Sequence, residues 1–201
     1  MLAYIKGELT QITSEYVVIE AGGLGYKVFM PETAMERLGE IGKTVKVHTY
    51  YKVREDDISI FGFNTQEELR MFELLLSVSG VGAKTAVVII STIEPSEFAF
   101  AVISEDISEL IKIPGIGKKS AQRIVLELKD KLKKESISVD ADIKQTRTKA
   151  KNNDNVEEAM SALQVLGYNK KEIEKAFEKI DSSNLNIEEL IKKGLAVLSK
   201  T

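Results

Sequence analysis

Hydrophobic and polar positions alternate with a period of two over the first third of the chain. Ala3-Tyr4-Ile5-Lys6-Gly7, Tyr16-Val17-Val18-Ile19-Glu20, Tyr26-Lys27-Val28-Phe29-Met30, Thr44-Val45-Lys46-Val47-His48 and Ile58-Ser59-Ile60-Phe61 are β-branched and aromatic runs, punctuated by Gly22-Gly23, Gly25 and Gly39. Such runs between turn residues predict five or six short antiparallel strands. Closing them into a barrel removes exposed sheet edges, and five strands over residues 1–63 predict an OB-fold.

From Asn64 the period lengthens. Glu67 and Glu68 follow the cap candidate Thr65, and Leu69, Phe72, Leu75 and Leu76 then recur at helical spacing. Residues 64–135 are expected to be helical throughout. Between 136 and 155 the chain reads SISVDADIKQTRTKAKNNDN, with only scattered apolar positions, which predicts a flexible linker. Three further stripes follow in 156–201: Val156, Ala159, Met160, Leu163 and Leu166; Ile173, Ala176, Phe177 and Ile180; Ile187, Leu190, Ile191 and Leu195. Gly167 and Ser182-Ser183-Asn184 interrupt them, so a small three-helix bundle is expected. The predicted class is α+β and multidomain.

Composition narrows the chemistry. Hydrophobic residues make up 43% and charged residues 29% of the 201 positions, a globular balance. Absence of cysteine removes disulfides, thiolate metal sites and thiol nucleophiles, and a single histidine, His48 in a strand-like run, leaves no Ser/His/Asp system to build. No cofactor or metal is expected. The N-terminus lacks a signal-peptide pattern and no apolar run approaches a bilayer span, so a cytoplasmic protein is expected, with no membrane partner. With a net charge of −3, any grip on a polyanion must come from a local arrangement.

That arrangement is an internal repeat. Ser79-Gly80-Val81-Gly82-Ala83-Lys84-Thr85-Ala86 overlays Pro114-Gly115-Ile116-Gly117-Lys118-Lys119-Ser120-Ala121 at a constant offset of 35, each copy between two apolar helical stretches. Glycines at both ends of the turn permit unusual backbone angles and let a ligand approach the main chain. The residue between them, Val81 or Ile116, can point inward and lock the helices together. Amides at the start of the second helix then face outward, where they and the helix dipole can bind a phosphate oxygen. Lys84 and Thr85 in the first copy, and Lys118, Lys119 and Arg123 in the second, stand close enough to contribute. Contacts of this kind see backbone and no base edge, so binding would depend on shape and salt.

A tight helix connection could explain one such turn, but packing has no need of repeated cations. A P-loop is excluded: Ala83 replaces the glycine required before lysine, the second copy has an extra lysine, and both follow a helix where a strand is needed. A nuclease or ligase fragment using the hairpins only to hold duplex would need a catalytic domain that no segment supplies. A scaffold whose C-terminal bundle is its main business leaves the cation-bearing turns unexplained.

Paired Gly-x-Gly turns are the helix-hairpin-helix signature of DNA-binding proteins that ignore sequence. Barrel, tandem hairpins, linker and small helical domain, in that order, resemble the RuvA family over essentially the whole chain. Gly22-Gly23-Leu24-Gly25-Tyr26, Val53-Arg54-Glu55-Asp56, Phe61-Gly62-Phe63, Gly80-Val81-Gly82, Pro114-Gly115-Ile116-Gly117-Lys118-Lys119 and Leu166-Gly167-Tyr168 are strings similar to that family. The resemblance implies a non-catalytic homotetramer that receives a four-way (Holliday) junction on a concave face, one or two tetramers to a junction. It implies a hexameric ATPase partner, RuvB, docking on a UBA-like C-terminal domain to drive branch migration in recombination and repair, and the resolvase RuvC as a further partner. It also makes Glu55, Asp56 and Asp57 an acidic pin whose carboxylates repel phosphates at the junction centre. Motor contacts would come from among Leu163, Leu166, Tyr168, Ile173, Phe177 and Leu190.

Overall fold

The computed structural model describes residues 2–55, 57–137, 151–182 and 185–199. They fall into two units, one of residues up to Glu73 together with Ala83–Thr92, the other of Leu74–Gly82 and Ile93 onward.

In the first unit five strands, β1 (Tyr4–Ile12), β2 (Tyr16–Ala21), β3 (Leu24–Phe29), β4 (Thr44–Val53) and β5 (Ile58–Phe63), close into a barrel of order β1-β2-β3-β5-β4. Only β3 and β5 run parallel, meeting at Val28/Ile60 and Phe29/Phe61. This is the OB-fold expected from the alternation, and that alternation fills it: Ile5, Leu9, Val17, Ile19, Val28, Val45 and Val47 point inward, while Lys6, Glu8, Lys46 and Lys27 are exposed. The pairing runs further than the sequence pattern reached. β1 continues to Ile12 past a bulge between Leu9 and Gln11, and β4 continues to Val53 opposite Ile58.

A short helix, α1 (Glu32–Glu36), was not expected among the strands. Five residues give no visible helical period, but Pro31 precedes them and Ala34 and Met35 join the barrel core. α2 (Gln66–Leu76) opens with the reciprocal cap that Thr65 and Glu68 promise. Glu68 N–H donates to Thr65 Oγ1 at 3.2 Å, and Glu68 Oε2 accepts from the amides of Asn64 (2.9 Å) and Thr65 (3.4 Å). Its other oxygen pairs with Arg37 at 2.8 Å, so this buried carboxylate is well compensated. Phe72 on α2 then stacks against Tyr50, Phe61 and Phe63 at centroid distances of 5.3, 5.2 and 4.9 Å, seating the helix on the barrel wall. α3 (Ala83–Thr92) belongs to this unit as well.

The second unit is helical, with α4 (Pro95–Ile103), α5 (Ile107–Ile111), α6 (Lys118–Ile137), α7 (Lys151–Val165), α8 (Lys170–Phe177) and α9 (Ile187–Leu198). α4 is buried nearly all round through Pro95, Phe98, Ala99, Ala101 and Val102, with α5 and α6 packed against it and α7 and α9 against it as well. Lys129 of α6 donates to the Ile103 carbonyl at 3.3 Å and pairs with Glu105 at 2.6 Å, satisfying the end of α4. Leu163, Leu166, Ile173, Leu190 and Ile191 form the core of the C-terminal helices, as their spacing predicts. Asn169 and Asn186 start α8 and α9 with full capping boxes to Glu172 and Glu189. The expected linker, 136–155, falls largely outside the described residues. Among the described residues no single helix is long and apolar enough to cross a membrane.

Candidate nucleic-acid interface

The two turns of the repeat adopt one geometry. Gly80 has φ of +84° and Gly115 of +81°. Val81 N–H donates to the Val78 carbonyl at 3.1 Å, and Ile116 N–H to Ile113 at 3.1 Å. The first glycine of each turn therefore sits in the left-handed region that a side chain resists. Ile116, only 5% exposed, points into the core as its place between the glycines suggests, whereas Val81 is half-buried.

The second glycine differs. Neither Gly82 nor Gly117 has a positive φ in the left-handed range, and a Cβ built on either would meet nothing within 4 Å. Among the described residues no contact or backbone angle requires glycine there, and both positions are exposed backbone. Just beyond Gly117, Ala121 N–H makes a helical bond to the Gly117 carbonyl at 2.9 Å. The amides of Lys118, Lys119 and Ser120 thus lie ahead of the α6 ladder, at the positive end of its dipole.

The cations stand where the spacing places them. Lys118, Lys119 and Arg123 are exposed on the first two turns of α6, Lys84 is exposed on α3, and Thr85 is half-buried. Arg123 also reaches a neighbour, its Nη1 donating to the Ser79 carbonyl at 3.3 Å. Glu127, one turn further on, accepts from Ser79 N–H at 2.9 Å and from its hydroxyl at 3.3 Å. Sequence reading missed Glu127, because a carboxylate on the polar side of an amphipathic helix carries no signal without the fold.

At the β4–β5 tip, Glu55 and Asp57 are exposed, and Asp56 lies outside the described residues. Arg54 N–H donates to the Asp57 carbonyl at 2.8 Å, closing the turn. Asp57 Oδ2 accepts from the Ser59 hydroxyl at 2.8 Å and lies 3.7 Å from Lys52 Nζ, so part of its charge is answered within the hairpin. Among the described residues no group of three or more Asp, Glu or His side chains is placed to hold a metal ion.

His48 is half-buried in β4, opposite Tyr4 and Phe63. Burial, and then the charge of Lys46, hold its pKa below the usual imidazole value, with Glu67 pulling the other way. Of the six C-terminal side chains proposed as motor contacts, Leu163, Leu166, Tyr168, Ile173 and Leu190 are buried in the unit. Phe177 is half-buried.

Comparison with known proteins agrees with this architecture segment by segment. Residues 1–62 match the family model described as RuvA N terminal domain, 72–130 the SAM-like helix-hairpin-helix tandem, and 154–199 the RuvA, C-terminal domain. A protein of Acetivibrio thermocellus is 47% identical over 201 residues, covering 100% of both chains. One from Ruminiclostridium cellulolyticum is 45% identical over 98% of this chain and 100% of its own. One from Natranaerobius thermophilus is 39% identical over 99% of each. All three are described as Holliday junction branch migration complex subunit RuvA. Identity at this level along the full length, on a barrel followed by duplicated hairpins, means that this chain belongs to the RuvA family.

Proposed function

We propose that this chain binds four-way junction DNA through the backbone amides of its two hairpin turns, without catalysis, as the recognition subunit of a branch-migration complex. The observation that carries the reading is the second glycine of each turn. Among the described residues nothing needs glycine at 82 or 117, and both leave bare main chain beside exposed lysines. A phosphate oxygen approaching to hydrogen-bond distance does need them. The relatives' description as junction branch-migration subunits supports the same conclusion.

In this reading Gly80, Val81, Gly82, Lys84 and Thr85 serve one phosphate site, and Gly115, Ile116, Gly117, Lys118, Lys119 and Arg123 the other. Each site is weak alone. A homotetramer presents four copies to one junction, and linked sites act at high effective concentration. Glu55, with Asp56, forms the pin that repels phosphates at the junction centre, while Asp57 shapes the hairpin through Ser59 and Lys52. A RuvB-type hexameric ATPase supplies the motor and docks on the C-terminal helices, where Phe177 is the most accessible of the expected apolar contacts. A RuvC-type nuclease resolves the product.

The test is a titration against a synthetic four-way junction and a linear duplex of equal length and composition, at two salt concentrations, without nucleotide or metal. Strong preference for the junction, with affinity falling steeply as salt rises, is expected. Equal affinity for both DNAs overturns the junction reading, and cleavage on adding magnesium overturns the non-catalytic one.

A further inference from the structure

The repeat is imperfect in one informative way. At the offset of 35, Ser79 of the first turn corresponds to Pro114 of the second, while Arg123 and Glu127 of α6 correspond to Val88 and Thr92 of α3. Proline fixes its own φ and so stiffens the entrance to the second turn. Serine does not. Instead, both backbone groups of Ser79 are held from α6: its N–H by Glu127 at 2.9 Å and its carbonyl by Arg123 at 3.3 Å, with the hydroxyl also on Glu127 at 3.3 Å. Arg123 and Glu127 are four apart and share a helix face. The pair exists in the copy whose partner turn lacks proline.

Glu127 also has the wrong sign for its place. A carboxylate near a turn that binds phosphate weakens binding by simple repulsion. Its hydrogen bonds to a backbone amide and a hydroxyl are charge-assisted and correspondingly strong, which gives it a reason to be there.

We propose that Glu127 and Arg123 form a positioning clamp that fixes the first hairpin turn against the second hairpin's helix, so that the two turns offer their amides at a set separation. The proposal rests on the phosphate-binding reading of the turns. In it, Glu127 touches no DNA and acts through Ser79, and Arg123 serves the turn as well as any phosphate.

The decisive comparison is Glu127→Ala against Glu127→Gln in the full-length protein, each titrated with four-way junction and linear duplex, with exchange of the Ser79 amide followed by NMR. Glutamine keeps an acceptor for Ser79 and removes the charge; alanine removes both. The clamp predicts about tenfold weaker DNA binding for Glu127→Ala, binding within about twofold of wild type or tighter for Glu127→Gln, and faster Ser79 exchange in the alanine variant alone. Repulsion without a clamp predicts the opposite sign, both variants binding more tightly. Alanine binding as well as wild type, or both variants weakened alike, overturns the clamp. Wild-type protein that grips duplex and junction equally defeats the junction reading, yet the loss in Glu127→Ala on either DNA still judges the clamp. Wild-type protein that binds neither DNA overturns both.

Discussion

Replacing the two glycines of the second turn by alanine should separate stability from binding. Gly115 has φ of +81°, where an L-residue costs about 1–2 kcal/mol, and a Cβ there meets no other atom within 4 Å, so the cost is conformational alone. Gly115→Ala should therefore lower the thermal midpoint by several degrees, on the order of 2–8 °C for such a loss. Gly117 has no such angle and open space around it, so Gly117→Ala should leave stability unchanged or raise it by about 0.4–1 kcal/mol by restricting the unfolded chain. On the proposed reading its Cβ would nevertheless stand where a phosphate oxygen comes to reach the amides at the start of α6. Losing one hydrogen bond to a charged group costs about 1.5–3 kcal/mol, or roughly tenfold to a hundredfold per site. Melting by circular dichroism and anisotropy of a labelled four-way junction measure the two effects in the same samples. A Gly117→Ala protein that binds the junction as tightly as wild type refutes the argument that this glycine is kept bare for a ligand.

Other expectations follow from the same geometry. Lys118→Ala and Lys119→Ala should weaken binding to all sequences equally and each reduce the slope of log affinity against log salt by about one if the lysine pairs with a phosphate; an unchanged slope in both removes them from the interface. His48 should make stability depend on pH: its folded pKa lies below the unfolded value near 6.5, so the unfolded chain binds the proton first. Stability is then fully present above that value and declines as pH falls below it, and His48→Asn should flatten the urea midpoint between pH 7 and 5. Gly194→Ala should destabilise the C-terminal helices by on the order of 1 kcal/mol, because its Cβ would come within 2.6 Å of the buried Leu163 Cδ1 and 3.2 Å of Phe177, outweighing the gain in helix propensity; an unshifted thermal midpoint counts against it. Deleting 156–201 should abolish stimulation of a RuvB-type ATPase and, because it takes α7 and α9 away from the buried α4, lower the thermal midpoint as well; stimulation that survives the deletion refutes motor docking on these helices.

Most of the architecture is legible because it is written in periodicities. A period of two filled the barrel through Val45, Val47 and their partners, and a period near four filled the C-terminal core through Leu163, Leu166, Ile173 and Leu190. Short elements escaped. α1 is too brief to show a period and declares itself only through Pro31 and the burial of Ala34 and Met35. The caps of α8 and α9 were present as Asn-x-x-Glu strings, Asn169 to Glu172 and Asn186 to Glu189, and could have been read. Glu127 could not have been, since its meaning depends on Ser79, which lies 48 positions away and has no periodic relation to it. The repeat identified the turns, but only the geometry divided each pair of glycines into one needed for backbone conformation and one left open.

That division bears on how a chain of net charge −3 can hold a polyanion at all. At physiological ionic strength charges separated by more than about 8 Å are largely screened, so the sum over the molecule matters less than the few groups around each contact. On the proposed reading those groups around the second turn are Lys118, Lys119, Arg123 and the leading amides of α6, and Glu127, an acid that the fold brings to the first turn, is hydrogen-bonded to Ser79. On the same reading acidic residues elsewhere, the exposed Glu55 at the barrel tip among them, discourage phosphates from the rest of the surface. A net-negative protein with small positive, amide-lined sites binds DNA weakly at any one site. Such a protein gains affinity only where several sites are engaged together, as a junction with four arms allows and a linear duplex does not.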